Sequence, residues 1–243
     1  MSLDSFYSLD ELRAFGFGAL GSDVRISRKC SIYNAEQIRI GNHVRIDDFC
    51  ILSGKITLRS YIHISAYCAL YGRFGITLGD FCGLSPRTTV FSASDDFSGR
   101  ALISPMVPEE FISLTVGAVT LDDFCQVGAD SVLMPGVTLK EGAVCGAFSF
   151  VNKSLDAWTI NAGIPCTLLK ARHKTAKVLG EIVKSVKPLD NKGKIMIRGG
   201  GRSHLLTSTA RAFFNFKDSR NGFLFTQSPF RESFLSCCSD SVS

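Results

Sequence analysis

The stretch IRIGNHVRIDDFCILSGKITLRSYIHI, residues 38–64, carries Ile40, Ile46, Leu52, Leu58 and Ile64 at six-residue steps. Neither an amphipathic helix nor an ordinary strand counts in sixes. Two residues before each lies a second restricted position, Ile38, Val44, Cys50, Ile56 and Ile62, with mostly polar residues between. An apolar pair two apart is strand spacing, so the chain reads as short strands that turn a corner every six residues.

Followed outward, the count runs back to Ile26 and Ile32 and forward through Leu70, Leu78, Leu84, Val90, Leu121, Val127, Leu133, Leu139, Cys145 and Val151. Seventeen such units, three to a turn, make nearly six stacked coils with one continuous core. The expected fold is all-β: a left-handed parallel β-helix of hexapeptide repeats. Cys30, Cys50, Cys68, Cys82 and Cys125 fall on the small inward position and Cys145 on the large one. There a thiol behaves as a small buried hydrophobe, and no C-x-x-C pair suggests a metal or a disulfide.

The count breaks between Ile32 and Ile40, between Leu70 and Leu78, and between Val90 and Leu121, always at the same corner of the triangle. Two breaks are two-residue bulges, and the third adds 25 residues, including FSASDDFSG at residues 91–99. A long loop leaving a rigid solenoid is where function usually resides.

The expected organisation is an N-terminal helical cap over 1–20, the β-helix over 21–170 with its loop at 91–118, a C-terminal helical segment over 171–189, and a tail over 190–243. Ser8 to Glu11 form a capping box, with Leu9, Leu12 and Phe15 on an apolar face. Val178, Leu179, Ile182, Val183 and Val186 have helical spacing within 174–187. The tail is rich in Ser, Gly and Phe without a repeat, and reads either as disordered or as an out-of-frame terminus. It also carries eight Lys/Arg against four acids, hence +4 of the net +5. The remainder is close to neutral, which argues against a nucleic-acid groove. No apolar run approaches the roughly 18 residues of a membrane span, and the polar N-terminus is unlike a signal peptide; a cytoplasmic location follows as the default.

Residues 47–170 resemble the hexapeptide-repeat acyltransferases, within them a branch acting on sugars of surface polysaccharides. RIDDFCILSGKITL, HISAYCALYG, FSASDDFSG, VNKSLDAW and AGIPC are similar to dTDP-4-amino-4,6-dideoxyglucose acyltransferases and to galactoside O-acetyltransferase-like proteins. The likeness spans most of 6–187 and none of the tail. It implies a homotrimer with active sites between adjacent prisms and acetyl-CoA as co-substrate, stretched along the coils. Ala129 and Ala147, one coil apart, match positions whose backbone meets the pantetheine arm. Asn152 and Lys153 match a segment beside the coenzyme, Pro165 a proline near the adenine, and Lys170 a basic residue facing the phosphates. Thr167 stands where the family commonly has Arg, which leaves Lys170, with Arg172 nearby, to supply that charge. Gly163 and Pro165 equally suit the simple end of a β-helix.

Sugar O-acetyltransferases of this fold usually carry a histidine base on the long loop; aligned on residues 91–94, this chain has Asp95 there. A hydroxyl gains much from a base poised near neutrality, whereas an amine is already nucleophilic once unprotonated. Asp95, with Asp96 beside it, therefore points to an amino sugar, Asp95 orienting the ammonium and accepting its proton. The same acids also read as an Asx-turn. His63, outward on its strand, is the other candidate base. Tyr71, Phe74 and Phe97 are candidate platforms for a sugar or a nucleotide base. The expected activity is N-acetylation of a nucleotide-linked amino sugar for surface polysaccharide, with a sugar O-acetyltransferase and a non-catalytic scaffold as alternatives. A zinc enzyme of this fold would need three converging histidines, and the coils hold only His43 and His63, so no metal is expected.

Overall fold

The computed structural model describes residues 5–185. Its parallel strands form a β-helix with three faces, and the six-residue count fixes each column. On the first face Ile26, Ile46, Ile64, Leu84, Val127 and Cys145 stand in register. On the second stand Ile32, Leu52, Leu70, Val90, Leu133 and Val151, and on the third Leu20, Ile40, Leu58, Leu78, Leu121 and Leu139. Apart from Leu20 and Ile32 at the first coils, every one of these residues is at most 2% exposed. Cys50, Cys68, Cys82 and Cys125 fill the small inward positions as free thiols. Their Sγ atoms donate to the carbonyls of Ser65, Ser85, Asp122 and Lys140 at 3.0–3.2 Å. Burial pushes the Cys145 thiol up to about 12, so it stays protonated.

The corners require backbone that L-residues seldom adopt. Phe49, Tyr67, Arg87, Asp130 and Phe148 turn one corner at φ between +54° and +63°, and His43, Tyr61, Phe81 and Phe124 turn another between +56° and +66°. Each left-handed residue costs about 1–2 kcal/mol, and at the second corner ring stacking offsets it. His43, Tyr61, Phe81 and Phe124 stack with centroids 4.8, 4.6 and 5.1 Å apart. In the next coil Gly142 (φ +70°) takes the corner, and Trp158 lies where its side chain would be: a Cβ there would fall 2.5 Å from Trp158 Cδ2.

At the third corner Ile51–Leu58 and Ala69–Leu78 pass from the second face to the third as single bent strands. The expected loop of 91–118 leaves from this corner and has structure of its own. Ala93–Asp95 pairs antiparallel with Leu114–Val116, and Glu109–Phe111 forms a short 3-10 turn.

Both ends depart from the sequence reading in detail. The capping box forms as expected: Ser8 N–H donates to Glu11 at 2.7 Å and Glu11 N–H to Ser8 Oγ at 3.3 Å. Leu12 is fully buried, but Leu9 points to solvent at 50% exposure, so the helix Leu9–Ala14 docks on a narrower face than its pattern suggested. At the other end 171–189 is not helical throughout. Thr167–Ala171 folds back antiparallel on Thr159–Ala162, and the helix is Thr175–Ser185. The positive φ of Gly163 (+104°) makes that reversal possible. The expectations for 186–189 and for the tail 190–243 lie outside the described residues.

The N-terminal cap carries a pH prediction. Arg28 grips Glu11 with two 2.7 Å hydrogen bonds, and this fork, with the Ser8 bonds, holds the Glu11 carboxyl at about 2 against its ordinary 4.5. A depressed carboxyl stabilises fully above its unfolded value and loses that contribution as pH falls through the folded one. The cap is therefore expected to stay docked above pH 4.5 and loosen as the pH falls toward 2. Hydrogen exchange at the Tyr7 amide, bonded to Ile26 O at 3.0 Å, reads this directly; protection unchanged down to pH 2 would refute it.

Candidate active site

On the first face a cavity of about 270 Å³ opens between His63, Ser65, Ser85 and Gln126, and Tyr61 and Phe81 wall one side. It exists because Gly83, in register with His63 and Gln126, has no side chain. Gln126 is held across it by an Nε2 donation to Phe81 O at 2.9 Å.

His63 Nε2 lies 2.7 Å from Asp47 Oδ2, and Arg45 Nε donates to Asp47 Oδ1 at 2.7 Å. Partial burial works against the Asp47 charge, but the bonds from His63 and Arg45 outweigh it and hold the carboxyl below its usual range. An ionised carboxylate can only accept, so Nε2 is the ring nitrogen that carries a proton toward Asp47. Sequence reasoning singled out His63 but missed Asp47 and Ser85. Coil arithmetic could have found them: Asp47, Ser65 and Ser85 each follow an inward residue of the first face and so form one outward column.

The bulged corner gathers a second group. Ser92 Oγ donates to Tyr71 O at 2.7 Å and accepts from Phe74 N–H at 2.9 Å, which ties the bulge to the root of the hairpin. Tyr71 stacks on Phe91 with centroids 5.3 Å apart, and Phe74 lies under the Arg73 guanidinium at 5.5 Å. Phe97 stands apart at the hairpin tip, 78% exposed. Asp95, half-buried in the hairpin opposite Leu114, offers a carboxylate with no hydrogen bond or ion pair among the described residues. Asp96 differs: its carboxylate accepts from Ser98 N–H and Ser98 Oγ, both at 2.8 Å, and these bonds lower its pKa. It is the turn former that the alternative reading described, so of the two acids Asp95 has the carboxylate without a bonding partner among the described residues.

Asp95 and His63 do not meet within one chain. The hairpin leaves the corner between the second and third faces, and His63 projects from the first, across the triangular section.

Ala129 and Ala147 lie one above the other at the corner between the first and second faces, beyond Ser85. Phe148 N–H donates to Ala129 O at 2.8 Å, whereas the amides of Ala129 and Ala147 have no acceptor among the described residues. A Cβ on the adjacent Gly128 would lie 2.3 Å from Ala147 N, so the coils are as close here as backbone permits. Pro165 is exposed in the turn that seals the last coil, where Phe150 N–H donates to Gly163 O at 3.0 Å and Cys166 N–H to Phe150 O at 2.8 Å. That places it beside the alanine corner. Asn152 and Lys153 are exposed but follow Val151 at the bulged corner, with the second face between them and the alanines. Lys170 is exposed on the reversed strand opposite Ile160. Arg172 cannot help it: its Nη1 donates to Phe124 O at 2.7 Å and Gly142 O at 2.8 Å, and its guanidinium lies 5.8 Å from the Trp158 ring. No group of three His, Cys, Asp or Glu able to hold a metal occurs among the described residues.

No family model matches the chain. It is 38% identical over 181 residues to the dTDP-4-amino-4,6-dideoxy-D-glucose acyltransferase of Escherichia coli, a span of 72% of this chain and 94% of that protein. It also superposes on AntD, an N-acyltransferase from Bacillus cereus, in complex with dTDP and 3-hydroxybutyryl-CoA, with a TM-score of 0.73 and 49% identity over 75% of this chain and 98% of that one. A single-residue variant of AntD in complex with dTDP-4-amino-4,6-dideoxyglucose and coenzyme A gives the same TM-score at 48% identity, over 75% of this chain and 99% of that one. Repeat, fold and likeness across nearly a relative's whole length agree: this chain belongs to the dTDP-4-amino-4,6-dideoxyglucose acyltransferases of the hexapeptide-repeat class.

Proposed function

We propose that the protein transfers an acetyl group from acetyl-CoA to the amine of a dTDP-linked 4-amino sugar, forming an amide used in surface polysaccharide such as O-antigen. It works in the cytoplasm as a homotrimer in which the hairpin of one prism reaches the first face of the next. That assembly brings a partner's Asp95 to the cavity of His63 and Ser85, which one chain cannot do alone. The exposed side chains of Phe97, Leu102, Ile103, Met106 and Phe111 on this excursion suit such a contact.

The observation that carries the reading is the unpartnered carboxylate of Asp95. Placed beside the substrate ammonium, it orients the nitrogen and accepts the proton whose loss frees the lone pair; the amine then attacks the thioester carbonyl, and the second proton it sheds passes to the departing thiolate. A tetrahedral intermediate forms, its oxyanion held by backbone N–H groups, and the thiolate of coenzyme A leaves. The coenzyme runs along the alanine corner, where the open amides of Ala129 and Ala147 receive the pantetheine arm. Pro165 borders the adenine and Lys170 faces the phosphates without help from Arg172. Asn152 and Lys153, at another corner, serve the coenzyme only across the interface with a neighbouring copy. Tyr71 and Phe74 border the acceptor.

One observation favours an O-acetyltransferase instead: His63, held by Asp47, has the form of a base suited to a hydroxyl. Acetyl-CoA consumption against dTDP-linked amino sugars and their 4-hydroxy counterparts decides the matter. Release of coenzyme A with the amines and not with the hydroxyls is expected, and the reverse would overturn the proposal. Family membership sets the scaffold reading aside.

A further inference from the structure

The outward positions of the first three coils on the first face are Arg25, Arg45 and His63, each in register with the next. Like charges directly opposite on neighbouring strands repel, so such a stack asks for counter-charge. Asp23 and Asp47 supply part of it, and each arginine meets its carboxylate through Nε: Arg25 to Asp23 at 3.4 Å, Arg45 to Asp47 at 2.7 Å. Both carboxylates are shared, Asp23 with His43 at 3.0 Å and Asp47 with His63 at 2.7 Å.

The terminal nitrogens of the two guanidiniums make no hydrogen bond among the described residues. The side chains stay 62% and 55% exposed. The neighbouring cations are committed elsewhere, Arg28 to Glu11 at 2.7 Å and Lys29 to Asp48 at 2.9 Å. The Phe6 ring lies 5.4 Å from the Arg45 guanidinium, so an aromatic surface borders the stack. One strand further on, the column runs into the cavity at His63.

We propose that Arg25 and Arg45 bind the diphosphate of the sugar nucleotide, directing its sugar along the first face toward His63 and Ser85. Two guanidiniums one strand apart, about 4.8 Å, offer one pair of N–H donors to each phosphoryl group, the geometry that arginine supplies and lysine does not. This rests on the acceptor being nucleotide-linked. The other diphosphate in the reaction belongs to coenzyme A, whose path along the alanine corner leads to the opposite end of the solenoid.

Calorimetric titration of the full-length protein with dTDP, and separately with coenzyme A, tests the assignment in the wild type, Arg25→Gln, Arg45→Gln and the double variant. Each single change is expected to weaken dTDP binding about tenfold or more, the double change further, with coenzyme A affinity unmoved. The KM for a dTDP-amino sugar should rise in parallel while that for acetyl-CoA holds, and Arg45→Lys should recover part of the loss. Unchanged dTDP affinity in the double variant overturns the subsite. So does an equal loss for coenzyme A, which would give these arginines to the coenzyme, and so does a wild type that does not bind dTDP. Because the titration needs no turnover, a protein that binds dTDP through these arginines yet acylates no dTDP-amino sugar leaves the subsite standing and sinks the acceptor reading. One that acylates amino sugars with dTDP affinity indifferent to the arginines does the reverse.

Discussion

Asp95→Asn is expected to lower turnover of a dTDP-amino sugar by about 10²–10⁴-fold, the usual worth of a positioned proton acceptor. The amide keeps the shape and can still hydrogen-bond, but it cannot balance the ammonium charge or take a proton. Coenzyme A affinity should not change, since the coenzyme lies along the alanine corner. Thermal stability should not fall either, because the carboxylate has no partner among the described residues to lose. Raising the pH should restore part of the rate, as more of the amine is then already deprotonated. Turnover equal to the wild type would remove Asp95 from the chemistry and return the role to His63.

The largest expected effect on stability comes from the opposite kind of residue. Leu70 is fully buried between Leu52 and Val90 in the second-face column. Leu70→Ala is expected to cost about 2–5 kcal/mol, the lost transfer energy plus that of the cavity left behind. A solenoid relaxes poorly around such a hole because the coils above and below are fixed by their own ladders. Leu70 also opens onto Tyr71 and the bulge that Ser92 ties to the hairpin, so loosening there should reach the Asp95 hairpin. Denaturant unfolding gives the energy, and a loss below that of an exposed substitution such as Leu9→Ala would contradict the packing argument.

The columns were legible in the sequence because the inward residues obey one local rule. Count to six, keep a small residue two places earlier, and Ile26 to Val151 fall on three faces with the breaks at one corner. The same count held the outward columns, so that Asp47 beside His63, and Ser85 below them, were within reach of arithmetic. What escaped has a different physical origin. The pairing of Ala93–Asp95 with Leu114–Val116 joins segments nearly twenty residues apart, outside any repeat. The strand Thr167–Ala171 has no six-residue pattern, and its Leu168 and Leu169 are 64% and 63% exposed, so no inward residue marks it. The site itself was half legible: sequence names Asp95 and His63, but only topology shows that they stand on opposite sides of one chain.

The reversal at Gly163 also bears on how the protein behaves at high concentration. A stack of parallel coils ends in open strand edges, which invite another chain to continue the ladder. Here Thr167–Ala171 runs against Thr159–Ala162 at one end, and at the other Phe6 bridges Ser27 antiparallel while Tyr7 N–H donates to Ile26 O. A parallel coil from another molecule meets chain running the wrong way at either terminus of the first face. Direction alone therefore disfavours continuing the first-face ladder from one molecule into the next.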